Sequence, residues 1–343
     1  MAKIDFSELV RALSRRDLLK GAAGGAALVA TRGAGNALVK GAAGGAAALL
    51  ASSAAEALAQ QAVRSYTLTV SAVNWSIGRP ITVPAYAYGL EGGTPTVPGP
   101  TLRATAGETL EIKVVNRLSA PTTIHWHGVH TVPNNMDGVP GVTQDPIPPG
   151  GSFTYKFQAP SAGTYVYHSH VDVAVQIPKG LMGLLVVDDP RPGVRTPTPT
   201  RQDASERRYD KEYPLVLADI PDAYGNFYHI INGKTFYGLD AVGEAANEGR
   251  LIFKMNRGDR VLFRVWNASA AEAHPMHTHG MMYAIVARDN SDLATPVYVD
   301  TQGVNPGERY DLIVHADNPG VWVFHCHNLH HAVNGMIAVN IVA

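Results

Sequence analysis

The chain has 343 residues, of which 45% are hydrophobic and 17% are charged, and its formal net charge at pH 7 is −1. This composition is typical of a soluble globular protein, and the balance of charges provides no basic excess for a nucleic-acid partner. The single cysteine, Cys326, excludes an internal disulfide. It is therefore a buried apolar residue, a reactive thiol or a metal ligand.

Residues 1–59 are predicted to be an export signal and not part of the fold. The stretch SRRDLLK at 14–20 places two adjacent arginines before an Ala/Gly-rich region, and a small-residue cleavage pattern, ALA, occupies 57–59. This arrangement resembles a twin-arginine signal, which would direct the protein to the periplasm or the exterior. A membrane anchor is the alternative. It is disfavoured because a spanning helix needs about 20 apolar residues, and three polar residues interrupt the short apolar runs, namely Arg32, Asn36 and Lys40.

From residue 60 onward the sequence predicts β-strands. Short alternating or apolar runs such as TLEIKVVN, SFTYKF and RVLFRVWN are separated by Gly, Pro and Asn. No amphipathic helix of normal length is evident after the leader. Short strands at this spacing indicate β-sandwiches or barrels, so the predicted fold class is all-β.

The two halves of the chain repeat one pattern. AGETLEIKVVN ends at Asn116 and NRGDRVLFRVWN ends at Asn267, and each is followed by a histidine pair and a glycine, HWHG or HTHG. Further on, GTYVYHSH matches GVWVFHCH, with Ser169 in the place of Cys326. A Pro-, Thr- and charge-rich stretch separates the halves. We therefore predict a first domain at 60–190, a linker at 191–212 and a second domain at 213–343.

Four His-x-His pairs are the main functional signal. In a strand, residues i and i+2 lie on the same face about 6–7 Å apart, so each pair can present two imidazoles to one side. A single pair is more often structural, but four pairs at matching places in a repeat favour a shared site. A mononuclear zinc site needs about four ligands, so eight histidines fit a multinuclear cluster better. The pairs are His125/His127, His168/His170, His277/His279 and His325/His327.

Cys326 lies between two of these histidines and is expected to face the opposite side of its strand. There it can meet His331 and Met336, which follow at five-residue steps, and His274. Two histidines, one cysteine and a weak axial methionine form a trigonal blue-copper electron-transfer site. Because the complete ligand set is present, this interpretation is favoured over an inert buried thiol.

The motifs HWHG, HSH, HPMHTH and HCHNLHHAVNGM resemble the copper-binding motifs of the multicopper oxidases, in particular the two-domain (small) laccases. The resemblance covers essentially all of the chain after the leader. It implies two cupredoxin-like Greek-key β-sandwich domains. Only 103 residues separate His170 from His274, which leaves no room for a third domain between them.

The resemblance also implies four copper ions per chain. The type-1 copper would take His274, Cys326, His331 and Met336. The type-2 copper would take His125 and His277. One type-3 copper would take His127, His168 and His327, and the other His170, His279 and His325. Asp137 matches a proton-supplying aspartate near the cluster, although a simple turn role before Gly138 is an equal alternative; Asp145 is the weaker candidate. The remaining histidines are interpreted as structural or surface residues: His130, His229, His315 and His330.

As a member of that family, the protein would oxidise phenolic or aromatic amine donors by one electron at a time and reduce dioxygen to water. Electrons would be received at an exposed edge of His331, pass through Cys326 and reach the cluster. In two-domain members of the family, the first domain of one chain meets the second domain of its neighbour in a ring of three, so the resemblance implies a homotrimer with clusters between chains. No stable membrane span is expected. The alternatives are a metal oxidase for Cu(I), Fe(II) or Mn(II), a two-domain copper nitrite reductase, and a copper-storage or electron-carrier protein.

Overall fold

A computed structural model of the protein describes residues 56–59, 62–78, 80–191, 208–236 and 249–343. The predicted export signal lies outside the described residues except for 56–59, and most of the predicted linker, 192–207, also lies outside them. No helix among the described residues is long and apolar enough to cross a membrane.

The first half of the chain forms two four-stranded sheets. One has the order β2-β1-β4-β6 and the other the order β3-β8-β7-β5. A 3₁₀ turn covers Asn134–Met136 and a short helix, α1, covers Val173–Gln176. The strands are β1 Val63–Gly78, β2 Ile81–Leu90, β3 Leu102–Thr105, β4 Thr109–Asn116, β5 His125–His127, β6 Ser152–Gln158, β7 Gly163–His168 and β8 Met182–Asp188.

The second half forms a six-stranded and a five-stranded sheet. Their orders are β10-β9-β12-β17-β14-β15 and β11-β19-β18-β13-β16. A short helix, α2, covers Leu329–Val333. The strands are β9 Lys211–Pro221, β10 Phe227–Ile231, β11 Ile252–Met255, β12 Arg260–Asn267, β13 His274–Thr278, β14 Tyr283–Arg288, β15 Ser291–Val299, β16 Thr301–Val304, β17 Arg309–His315, β18 Gly320–Cys326 and β19 Ile337–Val342.

The all-β prediction is confirmed, and the sequence repeat has a counterpart in the strand pairing. The parallel pair β1–β4 of the first half corresponds to the parallel pair β9–β12 of the second. Likewise, β3–β8 corresponds to β11–β19. The predicted domain boundaries themselves remain a prediction, and β9 begins at Lys211, two residues before the expected start of the second domain.

Burial along the strands explains their sequences. In β4, Leu110, Ile112 and Val114 are fully buried while the intervening side chains are more exposed, as expected for a strand with one face on a core. In β12, by contrast, every residue after Arg260 is buried. The alternation is absent there because the outer face of β12 packs against the first half of the chain.

The two halves share an interface with an apolar part and a charged part. The apolar part joins Val166 and Leu184 of the first half to Val216 and Trp266 of the second in one buried cluster. In the charged part, Arg264 donates to Thr164 Oγ1 at 2.7 Å. The same hydroxyl donates to Asp311 Oδ1 at 2.7 Å. The interface thus holds the halves together by burial and by a satisfied polar network.

Candidate metal centres

The first histidine group lies where β5 meets β7. The antiparallel register pairs His125 with His168, and the strand pleat adds His127 to the same side. His170 follows β7 and its ring centroid lies 5.6 Å from that of His125. His168 Nε2 and His127 Nδ1 are 3.4 Å apart. The structure therefore brings together all four histidines predicted from the first half.

The second histidine group repeats this arrangement where β13 meets β18. His277 pairs with His325, and their ring centroids are 5.5 Å apart. His279 Nε2 lies 3.2 Å from His325 Nε2, and the His327 ring centroid is 5.6 Å from that of His277. The closest nitrogen pair in each group consists of two histidines that the resemblance assigns to one type-3 copper.

A glycine follows the histidine pair in both groups because the chain must turn sharply there. Gly128 has φ +81° and Gly280 has φ +69°, in the left-handed region that favours glycine. A Cβ at position 128 would lie 2.5 Å from Arg309 Nη2, and one at position 280 would lie 2.4 Å from the Trp322 ring. The HxHG motif thus combines ligands with the turn that allows close packing behind them.

Burial keeps two histidines of the first group, His127 and His168, in the form that binds metal. Burial, together with the charges of Arg309 and His125, lowers the pKa of His127 to about 4. Burial also lowers the pKa of His168 to about 3. In the second group, burial lowers the pKa values of His279 and His325. Neutral imidazoles at neutral pH are what metal coordination requires, so these residues fit a metal cluster.

An aspartate accompanies the leading histidine of each group. His125 Nδ1 lies 2.9 Å from the backbone oxygen of Asp137 and 3.3 Å from its carboxylate. His277 Nδ1 lies 3.0 Å from the backbone oxygen of Asp300. If these nitrogens donate, Nε2 of each ring is left for a metal. Asp137 was singled out from the sequence, whereas Asp300 was missed because no nearby motif distinguishes it. In the described part of the chain, Asp145 makes no hydrogen bond or ion pair with either group.

The third group lies on the other side of β18 from His325. His274 Nδ1 and His331 Nδ1 are 3.1 Å apart, and Cys326 Sγ lies 3.8 Å and 3.6 Å from them. Met336 is fully buried in the same core cluster as Cys326. The predicted placement of Cys326 on the opposite face from its neighbours is thus confirmed.

The chemistry of this third group fits copper. Burial raises the pKa of the Cys326 thiol to about 12 and lowers the pKa of His274 to about 4. A thiolate in such a dry site needs a cation beside it, which a coordinated metal provides. His274 Nε2 is hydrogen-bonded to Ser269 Oγ at 2.7 Å, so its ring orientation is fixed from outside.

The surroundings of His331 differ from the expectation. An exposed edge was predicted, but His331 is only 4% exposed. The ring of His229 stacks on it, with centroids 3.8 Å apart and planes inclined by 21°. His229 in turn is held by Asp219, with 2.6 Å between Nδ1 and Oδ1. Neither residue belongs to a recognisable motif; the pairing of β9 with β10 brings them together, and the packing of α2 against β10 brings them to His331.

The two histidine groups remain separate within one chain. Among the described residues, no hydrogen bond or ring contact joins a histidine of the first group to one of the second, and the candidate metal sets are likewise distinct. The first group instead faces the second half of its own chain through Trp266, whose ring stacks on His168 at 6.2 Å. Each group therefore presents half of the predicted cluster.

Comparisons with known proteins agree with this geometry. Family models described as multicopper oxidase match residues 91–192 and 225–343. Multicopper oxidase MmcO of Mycobacterium tuberculosis is 33% identical over 73% of this chain and 51% of its own length. Laccase-2 of Thanatephorus cucumeris is 35% identical over 64% of this chain and 39% of its own length.

This chain thus spans about half the length of these curated relatives or less. A solved structure, the blue copper oxidase from Nitrosomonas europaea, matches over 82% of this chain and 86% of its own, with 30% identity and a TM-score of 0.69. The residues matched by the family models include all three metal-ligand groups. The chain belongs to the multicopper oxidase family.

Proposed function

We propose that this protein is a laccase-like oxidase that takes single electrons from phenols or aromatic amines and uses four of them to reduce dioxygen to water. The observation that carries the proposal is the end of β18. Cys326 points into the third group while His325, one residue away, points into the second histidine group. One short segment therefore connects a candidate type-1 site with candidate cluster ligands.

Copper, bound by these residues, would supply the one-electron redox chemistry. His274, Cys326, His331 and Met336 would hold the type-1 ion, and the eight paired histidines would hold a type-2 ion and two type-3 ions. The protein's part is to exclude water from Cys326, which is fully buried, and to lower the pKa of His127 and His168 by burial. The peptide between Cys326 and each flanking histidine provides a covalent path for electrons.

Reduction of dioxygen also consumes four protons, and we propose that two aspartates deliver them. The Asp137 carboxylate is 36% exposed and its Oδ1 lies 3.3 Å from His125 Nδ1. Asp300 is 65% exposed and its Oδ1 lies 4.0 Å from His277 Nδ1. Each carboxylate can therefore exchange protons with solvent beside a candidate type-2 ligand. We assign the leading role to Asp137 because it is closer.

We further propose that the cluster forms between chains, in a homotrimer. The separation of the two histidine groups supports this, because the first group of one chain would need the second group of a neighbour. Complementation tests it. A variant disabled in the first group, His127→Ala, and one disabled in the second, His279→Ala, should each be inactive. Assembled together from denatured chains, they should regain part of the activity if clusters lie between chains, and none if each chain holds its own.

The oxidase proposal is tested on the purified, copper-loaded protein. We expect four copper ions per chain, an intense blue absorption from the thiolate, and oxygen uptake with 2,6-dimethoxyphenol. Parallel assays with nitrite and with Cu(I), Fe(II) and Mn(II) address the alternatives. One copper per chain without oxygen uptake would indicate a carrier. Turnover of nitrite, or of metal ions but not phenols, would contradict the laccase assignment.

Export to the periplasm or exterior by the twin-arginine motif is also proposed, on the sequence alone. Replacement of Arg15 and Arg16 together by lysine should leave the protein inside the cell while a version with single Lys20→Arg is exported as before. Fractionation of expressing cells measures the outcome.

A further inference from the structure

A ring outside the candidate metal ligands, that of His229, covers His331 at the type-1 group. His331 is 4% exposed, and the His229 ring lies over it at 3.8 Å between centroids. The side chain of His229 is 12% exposed. His229 thus covers one face of His331 and is the less buried of the two rings.

His229 is fixed in this place by its cross-strand partner. The register of β9 with β10 puts Asp219 directly opposite His229, and 2.6 Å separates Oδ1 from Nδ1. The same carboxylate oxygen lies 3.6 Å from His274 Nε2. One buried carboxylate therefore ties the orientation of the stacked ring to that of a candidate copper ligand.

The surroundings of His229 suit a flat, apolar molecule. Phe227 lies two residues earlier on the same face of β10 and is 53% exposed. Leu329 and Val333, four residues apart on α2, are 62% and 61% exposed. The helix packs against β10. The carboxylates whose charge reaches His331 are those of Asp219 and Glu272, which disfavour an anionic donor.

We propose that a neutral aromatic donor stacks on His229 and that its electron passes through the His229–His331 stack, with Asp219 as the residue that positions the outer ring. The proposal rests on the oxidase function proposed above. In this step the donor would lose one electron, a phenol would also release its proton to water, and a copper(II) ion held by the type-1 residues would accept the electron.

Docking of the donor on His229 and shielding of His331 by His229 predict opposite changes in KM when the His229 ring is removed. If donors react directly with His331, removing the covering ring should uncover it. His229→Ala should then lower KM and accelerate reduction of the blue copper. If donors dock on His229, the same change should raise KM for 2,6-dimethoxyphenol roughly threefold to tenfold, the effect of losing one aromatic contact. A lowered KM would overturn the proposal.

Two further variants are informative. One tests whether the aromatic ring of His229 matters apart from its hydrogen bond to Asp219, and the other tests whether loss of any nearby surface histidine has the same effect. His229→Phe keeps an aromatic face and should stay within about twofold of the parent KM. His330→Ala removes an exposed histidine next to His331 and should change nothing. An unchanged blue band shows that each variant is folded and loaded. Equal KM values in His229→Ala and His330→Ala would contradict the proposal.

A measurement without turnover provides independent evidence. In the fully reduced enzyme under argon, saturation-transfer NMR should detect neutral, redox-inert benzamide in contact with the protein, and His229→Ala should weaken this signal. Asp219→Asn, which keeps an oxygen acceptor for His229 Nδ1, should preserve the signal, and Asp219→Ala should reduce it. A benzamide signal that is equal in all four proteins would overturn the proposal.

Loss of the oxidase function and loss of the His229 docking role would give different results. A parent protein without a blue band or without oxygen uptake would contradict the oxidase function. A parent protein that oxidises phenols, together with His229→Ala that retains its KM and its benzamide contact, would leave the oxidase function intact and refute only the role of His229.

Discussion

The two repeats carry different side chains in structurally equivalent pockets. In the second repeat, Cys326 N donates to Met336 O at 3.1 Å, and in the first, Ser169 N donates to Leu181 O at 3.1 Å. The backbone is thus equivalent, but the side chains differ. Where the second repeat has His274, Cys326, His331 and Met336, the first has Thr122, Ser169, Gln176 and Leu181.

In the first repeat, the polar side chains that line the pocket hydrogen-bond to one another. The hydroxyls of Thr122 and Ser169 both donate to Gln176 Oε1, at 2.9 Å and 2.6 Å. In the second repeat two imidazole nitrogens and a sulfur converge instead, a set that is best satisfied by a cation. The first repeat has the same backbone arrangement without a set of metal ligands, so the sandwich does not depend on a metal for its shape. Four side chains decide whether the pocket is filled by hydrogen bonds or can hold copper.

The largest expected effect comes from making the second pocket resemble the first. Cys326→Ser should abolish the blue band, lower the copper content by one ion per chain and reduce phenol oxidation to background, because the thiolate ligand and the electron path are both lost. Ser169→Cys is the matched control and should leave colour and activity unchanged. Copper counting, absorption and oxygen uptake measure the outcome; a blue, active Cys326→Ser protein would contradict the assignment of Cys326 as a copper ligand.

Unlike these pockets, the histidine groups have the same residues in both repeats. The pH dependence of the free energy of unfolding tests whether the two groups contribute alike. Because burial lowers the pKa values of His127 and His168 from 6.5 to about 4 and 3, the unfolded copper-free chain binds more protons than the folded one below pH 6.5. The free energy of unfolding should therefore fall as pH falls from 6.5 to about 4, by a few kcal/mol.

Urea unfolding at successive pH values measures this slope. His168→Gln should flatten it, whereas His279→Gln should flatten it less because His279 is more exposed. A slope of opposite sign would contradict the assignment of neutral histidines in the folded protein.

A smaller effect is expected in the first pocket. Gln176→Ala removes the shared acceptor and leaves the buried hydroxyls of Thr122 and Ser169 with poorer partners. The change should lower the free energy of unfolding by about 1–3 kcal/mol without altering the blue band. Denaturant titration measures it, and exposed Gln158→Ala serves as the control. Equal stabilities would mean that the hydrogen-bonded pocket contributes nothing.

The smallest effect on stability is expected from Met336→Leu, which gives the second pocket the apolar residue of the first. Leucine and methionine have similar volumes, so the change should cost less than about 1.5 kcal/mol. The blue band should persist, and the reduction potential of the type-1 site should rise because the weak axial ligand is lost. Redox titration checks the direction; a lower potential would contradict the axial role of Met336.

Much of this organisation was predictable from sequence because it depends on local periodicity. The two-residue period of HWH and HCH fixes which side chains share a face, and the strand pairing then brings His125 opposite His168 and His277 opposite His325. The position of Cys326 behind its neighbours follows from the same pleat.

The unpredicted features depend on contacts between distant segments. His229 reaches His331 because β10 packs against α2, and no motif around His229 records that contact. The same contact explains why His331 is covered where an exposed edge was expected. Asp300 follows β15 directly and reaches His277 from a segment 23 residues away.

The interface between the halves has a consequence for how the chain can be divided. A cut between residues 191 and 208 would leave Val166 and Leu184 on one fragment and Val216 and Trp266 on the other, each set facing water. Both fragments would then expose an apolar surface to water, so they should re-associate or aggregate. Neither fragment is expected to be stable as an independent domain, because the buried apolar surface that they share holds the two halves together.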